Sequence, residues 1–186
     1  MPVIVVANPK GGVGKSTLSS NIAGYFARQG HKVMLGDIDR QQSSRLWLQL
    51  RPDTLPAVQS WDLDRDDIVR PPKGTTHVVL DTPAGLHGKR LQAVMKLADH
   101  IIVPLQASVF DVFATRAFLD ELAASRKADD VPVALVGMRV HANALSADKL
   151  RAMADQLGWP LLTMLRDTQN YVHLAASGLT LFDVAK

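Results

Sequence analysis

Residues 9–17 read PKGGVGKST and follow directly on the apolar run VIVVA at residues 3–7. Glycines at this spacing let backbone N–H groups close around phosphate oxygens. A helix that begins near Lys15 would point the positive end of its dipole at the same anion. We therefore expect Lys15 to reach the β- and γ-phosphates of a nucleoside triphosphate, and the Ser16 hydroxyl to ligate Mg²⁺. The residues of this loop predicted to contact the nucleotide are Gly11, Gly12, Val13, Gly14, Lys15, Ser16 and Thr17.

The composition of the chain restricts the class of protein. Its 186 residues, 47% hydrophobic and 21% charged, suit a single soluble α/β domain over residues 1–186. The absence of cysteine excludes disulfides, thiolate metal sites and iron–sulfur clusters. No apolar run approaches the roughly 18 residues of a membrane span, and the N-terminus leads into a strand without a signal peptide. The cytoplasm is therefore the expected location.

Short β-branched runs alternate with longer helical patterns, which predicts a mostly parallel, twisted sheet with helices on both faces. The strands are expected at residues 3–8, 32–36, 77–81, 100–104, 133–139 and 161–165. The helices are expected at residues 15–29, 43–50, 88–98, 112–126, 147–157 and 169–176, with Ser146 as the N-cap of the fifth. Residues 51–73, rich in proline and aspartate, are interpreted as a surface excursion with a short strand and helix.

Acidic residues follow two of the predicted strands, at the edge of a parallel sheet where ligands collect. Asp37 and Asp39 leave the second strand at alternating positions, where a metal ion or an attacking water would sit. Asp81 closes the apolar run at residues 78–80, and a carboxylate in this place holds Mg²⁺ directly or through water. A helix N-cap remains the alternative interpretation for Asp39, and a strand-end cap the alternative for Asp81.

The fifth predicted strand ends at Arg139, which is a candidate to lie along an adenine ring. Residues 165–170 follow the sixth strand and would complete the base pocket. Ordinary surface charge is the alternative interpretation of Arg139.

Three ordered motifs together resemble one known family. The loop has Pro9 where the strict phosphate-binding pattern has glycine, and a second lysine at Lys10. Residues 37–41 read DIDRQ, with Arg40 where the family has proline, and residues 81–85 read DTPAG. Over residues 3–183 the chain resembles the ParA/MinD family of deviant Walker A P-loop ATPases, and small plasmid-partition ParA proteins of the ParF type in particular. The resemblance implies a Mg²⁺-dependent ATPase.

The resemblance also implies roles for individual residues. Lys10 would reach across a two-fold interface to the phosphates of the partner subunit, and Asp39 would position or activate the hydrolytic water. A backbone N–H near Gly85 would sense the γ-phosphate. The catalytic set is then Lys10, Lys15 and Asp39, and the residues holding Mg²⁺ are Ser16, Asp37 and Asp81.

The partners implied by the resemblance are a second copy of the chain, DNA and an adaptor. ATP would be buried in a homodimer that coats nucleoid DNA without sequence specificity, and a ParB-like or cargo-bound protein would stimulate hydrolysis. The cargo would be a plasmid, a chromosome or another intracellular body. Candidate DNA contacts, with solvated helix faces as the alternative, are Arg116, Arg126, Lys127, Lys149 and Arg151.

Two other functions remain open at this point. One is a MinD-like, membrane-associated regulator of division. Against it, the chain ends LFDVAK rather than in the basic amphipathic helix by which MinD proteins hold membrane, and a last helix is expected to be missing from the chain. The other is a P-loop metabolic ligase of the dethiobiotin synthetase type, which would need a polar substrate pocket beside the nucleotide.

Overall fold

The computed structural model describes residues 1–61, 71–124, 131–141 and 144–184. Within these ranges, seven parallel strands form one sheet in the order β3-β2-β4-β1-β5-β6-β7. The strands are β1 Val3–Val6, β2 Val33–Asp37, β3 Val58–Trp61, β4 His77–Asp81, β5 His100–Leu105, β6 Val133–Val140 and β7 Leu161–Arg166. The helices are α1 Lys15–Arg28, α2 Ser43–Leu50, α3 Gly88–Leu97, α4 Val109–Ala123, α5 Ala144–Leu157 and α6 Asn170–Ala175.

Helices cover both faces of the sheet, which explains why its central strands are apolar throughout. All four residues of β1 are buried, and β1 pairs with β4 on one side and β5 on the other. Side chains alternate between the faces. Val5 and Leu80 belong to the apolar cluster under α3, α4 and α5, whereas Val6 and Val79 belong to the cluster under α1 and α2. The predicted fold class, a parallel α/β sheet covered on both sides, is therefore confirmed.

Most of the predicted elements differ from the structure by one or two residues at one end or both, and two helices begin three residues earlier than predicted. Helix α5 begins at Ala144, so Ser146 lies inside its first turn and is not its N-cap. Helix α4 begins at Val109 rather than at residue 112, and Ser108 occupies its N-cap position. In residues 51–73 the expected short strand is β3, which pairs with β2. Residues 62–70 of this stretch lie outside the described residues, so the expected short helix stays a prediction.

The phosphate-binding loop, the β2–α2 loop and the β4–α3 loop meet at the carboxyl edge of the sheet, because β1, β2 and β4 are parallel neighbours. Asp37 and Asp81 are register partners at the ends of β2 and β4. This pairing places the two predicted acidic motifs side by side. None of the helices in the described ranges combines the length and the apolar composition needed to cross a membrane.

Candidate nucleotide-binding site

A cavity of about 680 Å³ opens at this edge of the sheet, within the range of small-molecule and cofactor sites. It is bordered by the three loops and by Arg139 at the end of β6. Its lining residues are Gly11, Gly12, Gly14, Lys15, Ser16, Thr17, Ile38, Asp39, Arg40, Gln41, Ser43, Pro83, Ala84, Arg90 and Arg139. Most of the residues predicted to bind a nucleotide are thus brought together around one space. Val13 is the loop residue that does not line it, and its side chain is buried. Lys10, Asp37, Asp81 and Gly85 do not line the cavity either.

The backbone of the loop has the form that an anion site needs. Gly12 and Gly14 have φ of 74° and 97°, a left-handed conformation that glycine adopts without a steric penalty. Helix α1 begins directly after Gly14, and no side chain caps its N-terminus. The first N–H groups of a helix have no intrahelical partner, so here they are available to phosphate oxygens. Gly14 is also close to Met138, since a Cβ built on it would lie 2.6 Å from the Met138 Cε.

Lys15 lies inside this loop and is almost fully buried, at 7% exposure. Its Nζ donates a hydrogen bond to the Lys10 carbonyl oxygen at 2.7 Å. Burial lowers the pKa of Lys15, and the nearby charges of Asp81 and Asp39 act in the opposite direction. A buried ammonium held by one carbonyl is suited to binding an anionic ligand that enters the loop.

A buried asparagine that the sequence prediction missed fixes the start of the loop. The Asn8 side chain is fully buried and accepts a hydrogen bond from the Lys10 backbone N–H at 2.9 Å. Its amide nitrogen donates to the Pro104 carbonyl at 2.8 Å and to the Thr115 hydroxyl at 3.1 Å. Farther along the loop, Gln106 donates to the Gly12 carbonyl at 3.1 Å. A polar residue directly after an apolar strand is the local sign that Asn8 has a structural role. Its partners Pro104 and Thr115 are about 100 residues away in sequence, so the sequence alone does not identify them.

Asp81 is fully buried at the end of β4. Its Oδ2 accepts a hydrogen bond from the Ser44 hydroxyl at 2.7 Å, whereas Oδ1 has no hydrogen-bond partner of normal geometry in the described part of the chain. Burial raises the pKa of Asp81 to about 6, and the hydroxyls of Ser16 and Ser44 offset part of that effect. The orphan Oδ1 and the hydroxyl of Ser16, which interacts with the same carboxyl group, are oxygen ligands of the kind that a hard cation such as Mg²⁺ takes.

The two aspartates after β2 have different surroundings. Both oxygens of Asp37 accept backbone hydrogen bonds, Oδ1 from Asp39 at 2.9 Å and Oδ2 from Ser44 at 2.8 Å and Arg45 at 3.2 Å. Burial raises the pKa of Asp37, and these backbone bonds lower it in part. Asp37 therefore closes the N-terminus of α2, which corrects the alternative that assigned this cap to Asp39.

Asp39 borders the cavity and is only partly buried. Its Oδ1 accepts a hydrogen bond from the Gln41 N–H at 3.0 Å, which tightens the turn in which Arg40 stands. One carboxylate oxygen thus shapes the loop while the side chain faces the space where phosphate would lie. Arg40, which stands where the family has proline, also borders the cavity.

Gly85 and Arg139 both stand in the left-handed backbone region. Gly85 has φ 71°, and its N–H donates to the Pro9 carbonyl at 2.8 Å, which links the β4–α3 loop to the phosphate-binding loop. Arg139 has φ 52°, is exposed, and borders both the main cavity and a smaller one of about 260 Å³. Leu165, Arg166, Asp167, Thr168 and Gln169 line the smaller cavity, so Arg139 and the predicted base-pocket segment adjoin the same space.

Comparisons of the sequence and of the fold with known proteins point to the same family. Residues 4–181 match the model of the CobQ/CobB/MinD/ParA nucleotide binding domain. Maintenance of carboxysome distribution protein A from Halothiobacillus neapolitanus is 27% identical over 97% of this chain and 87% of its own length. The protein of the same name from Gloeobacter kilaueensis is 33% identical over 59% of this chain, and that match spans 51% of its own length.

Among solved structures, the ATP complex of McdA from Cyanothece superposes with a TM-score of 0.78 at 16% identity. It covers 97% of this chain and 89% of that one. At this identity the likeness shows the fold alone, and the fold agrees with the family found from the sequence. The chain therefore belongs to the CobQ/CobB/MinD/ParA family of nucleotide-binding proteins.

Proposed function

We propose that the chain is a Mg²⁺-dependent ATPase of the ParA type, which dimerises around ATP, binds DNA without sequence specificity and positions an intracellular cargo. The observation that supports this most has three parts: the uncapped helix N–H groups at the cavity, the buried Lys15 ammonium that lines it, and the orphan Oδ1 of Asp81, whose carboxyl group interacts with the cavity-lining Ser16. These three features complement a triphosphate with its metal ion.

In this proposal each group has a separate task. Ser16 and Asp81 would hold Mg²⁺, which would supply positive charge to offset that of the phosphates. Lys15 exchanges the Lys10 carbonyl for phosphate oxygens, and Asp39 orients the attacking water from the side of the β2–α2 loop. Because Asp37 already binds three backbone N–H groups, its contribution to the metal site is through the placement of α2 and its neighbours.

Dimerisation is proposed from Lys10, the lysine that phosphate binding within one subunit does not require. Asn8 fixes the Lys10 backbone by accepting its N–H at 2.9 Å, so the position from which the Lys10 side chain extends is set by a buried residue. A two-fold pairing is isologous, so each subunit would supply one Lys10 to the other. ATP would then act as the contact between two subunits, and slow hydrolysis would limit the lifetime of the dimer.

DNA binding is proposed for the outer surface of α4 and α5. The Arg116 Nη2 donates to the Gln156 carbonyl at 2.6 Å, which joins the two helices into one exposed surface. Arg151 pairs with Asp148 at 2.9 Å, with both side chains more than half exposed, and Lys149 is exposed beside them. Arg126 and Lys127 lie outside the described residues. Dimerisation would double these contacts, because each dimer would present two such basic surfaces and bind DNA bivalently.

The proposed cargo class is supported by the relatives, two of which are named for carboxysome distribution. Another, ParA from Rhizobium radiobacter, is 27% identical over 72% of this chain and 62% of its own length. We therefore propose positioning of a large intracellular body, with a cargo-bound adaptor stimulating hydrolysis and a cytoplasmic, nucleoid-associated location for the ATPase.

Co-sedimentation tests this proposal against its two rivals. The protein is incubated with unrelated DNA duplexes, or with vesicles of anionic phospholipid, in the presence of Mg²⁺ and either ATP or ADP. We expect ATP-dependent binding to every duplex, falling steeply between low and moderate salt because phosphate contacts release counterions. Binding to vesicles alone would favour the MinD-like function. Binding to neither would contradict DNA-based positioning and favour a metabolic enzyme.

A further inference from the structure

Ser44 joins the two acidic motifs of the site. It lies in the first turn of α2 and is buried, with 1% of its surface exposed. Its hydroxyl donates to the Asp81 Oδ2 at 2.7 Å, and its backbone N–H donates to the Asp37 Oδ2 at 2.8 Å. One residue therefore contacts both carboxylates at the ends of the neighbouring strands β2 and β4.

The contact with Ser44 decides which oxygen of Asp81 is left for a ligand. The final torsion of an aspartate side chain is broad and roughly two-fold, so backbone placement alone does not fix the plane of the carboxylate. The Ser44 hydroxyl occupies Oδ2, and Oδ1 is buried without a partner among the described residues. Losing the Ser44 hydroxyl would leave the carboxylate with the Ser16 hydroxyl as its neighbour and would remove the contact that holds Oδ2.

Asp37 in turn fixes Ser44. Its two oxygens hold the N-terminal backbone of α2 through Ser44 and Arg45, and the start of the preceding turn through Asp39. The placement of the Asp81 carboxylate thus depends on a chain of contacts from β2 through the first turn of α2.

We propose that Ser44 is a positioning residue that orients the Asp81 carboxylate so that Oδ1 faces the metal ion of a bound Mg²⁺–nucleotide. The inference rests on the proposed function, because it takes the Mg²⁺–nucleotide as the ligand of this site. Outer partners of metal ligands typically affect metal affinity by about 10- to 100-fold.

The test compares nucleotide affinity with and without metal by calorimetry, in Mg²⁺ and in EDTA, for wild type and Ser44→Ala. We expect Ser44→Ala to weaken ATP binding in Mg²⁺ by roughly tenfold, the lower end of outer-shell effects, and to leave affinity in EDTA within about threefold. The matched control is Ser20→Ala, a buried serine whose hydroxyl binds the Thr17 carbonyl at 3.1 Å inside α1. That variant should not change the ratio of the two affinities.

A purely structural role for Ser44 gives a different result. Equal losses in Mg²⁺ and in EDTA, or no loss in either, would overturn the inference. Should Ser44→Ala fail to fold, Ser44→Cys under reducing conditions is the second variant, because it keeps the size of the side chain with a weaker donor. The ratio of ATP affinity in Mg²⁺ to ATP affinity in EDTA must then be lower than in wild type. The proposed function fails separately, if the wild-type protein shows no Mg²⁺-dependent ATP binding at all.

Discussion

Replacing Asp183 should destabilise the protein far more than its position near the end of the sequence suggests. Arg51, which follows α2, donates from Nη1 to Oδ2 of Asp183 at 2.9 Å and from Nη2 to Oδ1 at 3.1 Å. The two side chains are only 4% and 0% exposed. Thr180 adds hydrogen bonds to Oδ2 from its N–H at 2.8 Å and its hydroxyl at 2.7 Å. The pair therefore anchors residues 178–184 to α2.

The expected cost of Asp183→Ala follows from what it leaves behind. Removing one partner of a buried ion pair costs about 3–5 kcal/mol, since the other charge stays buried. Arg51 would keep its bonds to the Pro56 and Gly178 carbonyls, at 3.1 and 3.2 Å, which favours the lower end of that range. We expect the free energy of unfolding to fall by about 3 kcal/mol. For a chain of this size that corresponds to a melting temperature lower by roughly 6–12 °C.

Urea denaturation with a matched control measures this effect. Asp148→Ala removes another 2.9 Å pair, Asp148–Arg151, whose side chains are 68% and 57% exposed. Exposed pairs contribute at most about 1 kcal/mol. If Asp183→Ala and Asp148→Ala lose the same small amount, the anchoring role of the buried pair is wrong.

The difference in free energy of unfolding between wild type and Asp183→Ala should depend on pH in a definite direction. Burial alone would raise the pKa of Asp183, but the hydrogen bonds from Arg51 and Thr180 outweigh it and lower the pKa below 3.8. A carboxyl with a depressed folded-state pKa contributes stability that is complete above its unfolded pKa and is lost as pH falls through the folded value. The gap between wild type and Asp183→Ala should therefore be constant near neutral pH and shrink below about pH 4.

Three further predictions concern the site. Lys15→Ala should abolish ATP binding, because it removes the buried ammonium inside the loop; affinity within about threefold of wild type by calorimetry would refute the assignment. Asp39→Ala should still bind Mg²⁺–ATP but hydrolyse it at least about tenfold more slowly in a phosphate-release assay, and normal turnover would move the catalytic role to another residue. Asp81→Asn should stabilise the metal-free protein in EDTA: a pKa of about 6 instead of 3.8 corresponds to roughly 3 kcal/mol of penalty above pH 6. That penalty disappears as pH falls to 3.8, so melting temperatures of wild type and Asp81→Asn should converge there, and parallel curves would contradict the burial argument.

The fold was predictable from the sequence because its determinants are local. Runs of valine and isoleucine mark the buried strands, and two of the three loop glycines, Gly12 and Gly14, have a positive φ that only glycine adopts without penalty. Gly30, with φ 83°, follows α1 as a helix-ending glycine should. Helix starts were less predictable, because serine is acceptable both as an N-cap and in a first turn; Ser146 was assigned to the first and lies in the second.

The supporting contacts of the site could not be predicted in this way. Asp37 and Asp39 are two residues apart, and alternate residues of a strand share one face, so the pattern alone does not decide which carboxylate caps α2. In the structure β2 ends at Asp37, and Asp39 lies in the turn that follows. Ser44 and Asp81 are 37 residues apart, and Arg51 and Asp183 are 132 apart. A single sequence has no local signal for such pairs, so they become visible only when the topology is known.

The central claim is that ATP joins two copies of this chain through Lys10. Light scattering tests it most directly, by measuring the mass of wild type and of Lys10→Ala. Each protein is measured without nucleotide, with Mg²⁺–ADP and with Mg²⁺–ATP. We expect the wild-type mass to double from the 20.3 kDa monomer only with ATP, and Lys10→Ala to stay at the monomer mass while calorimetry shows that ATP is bound. A wild-type mass that does not depend on nucleotide, or a Lys10→Ala variant that dimerises as wild type does, would contradict the claim.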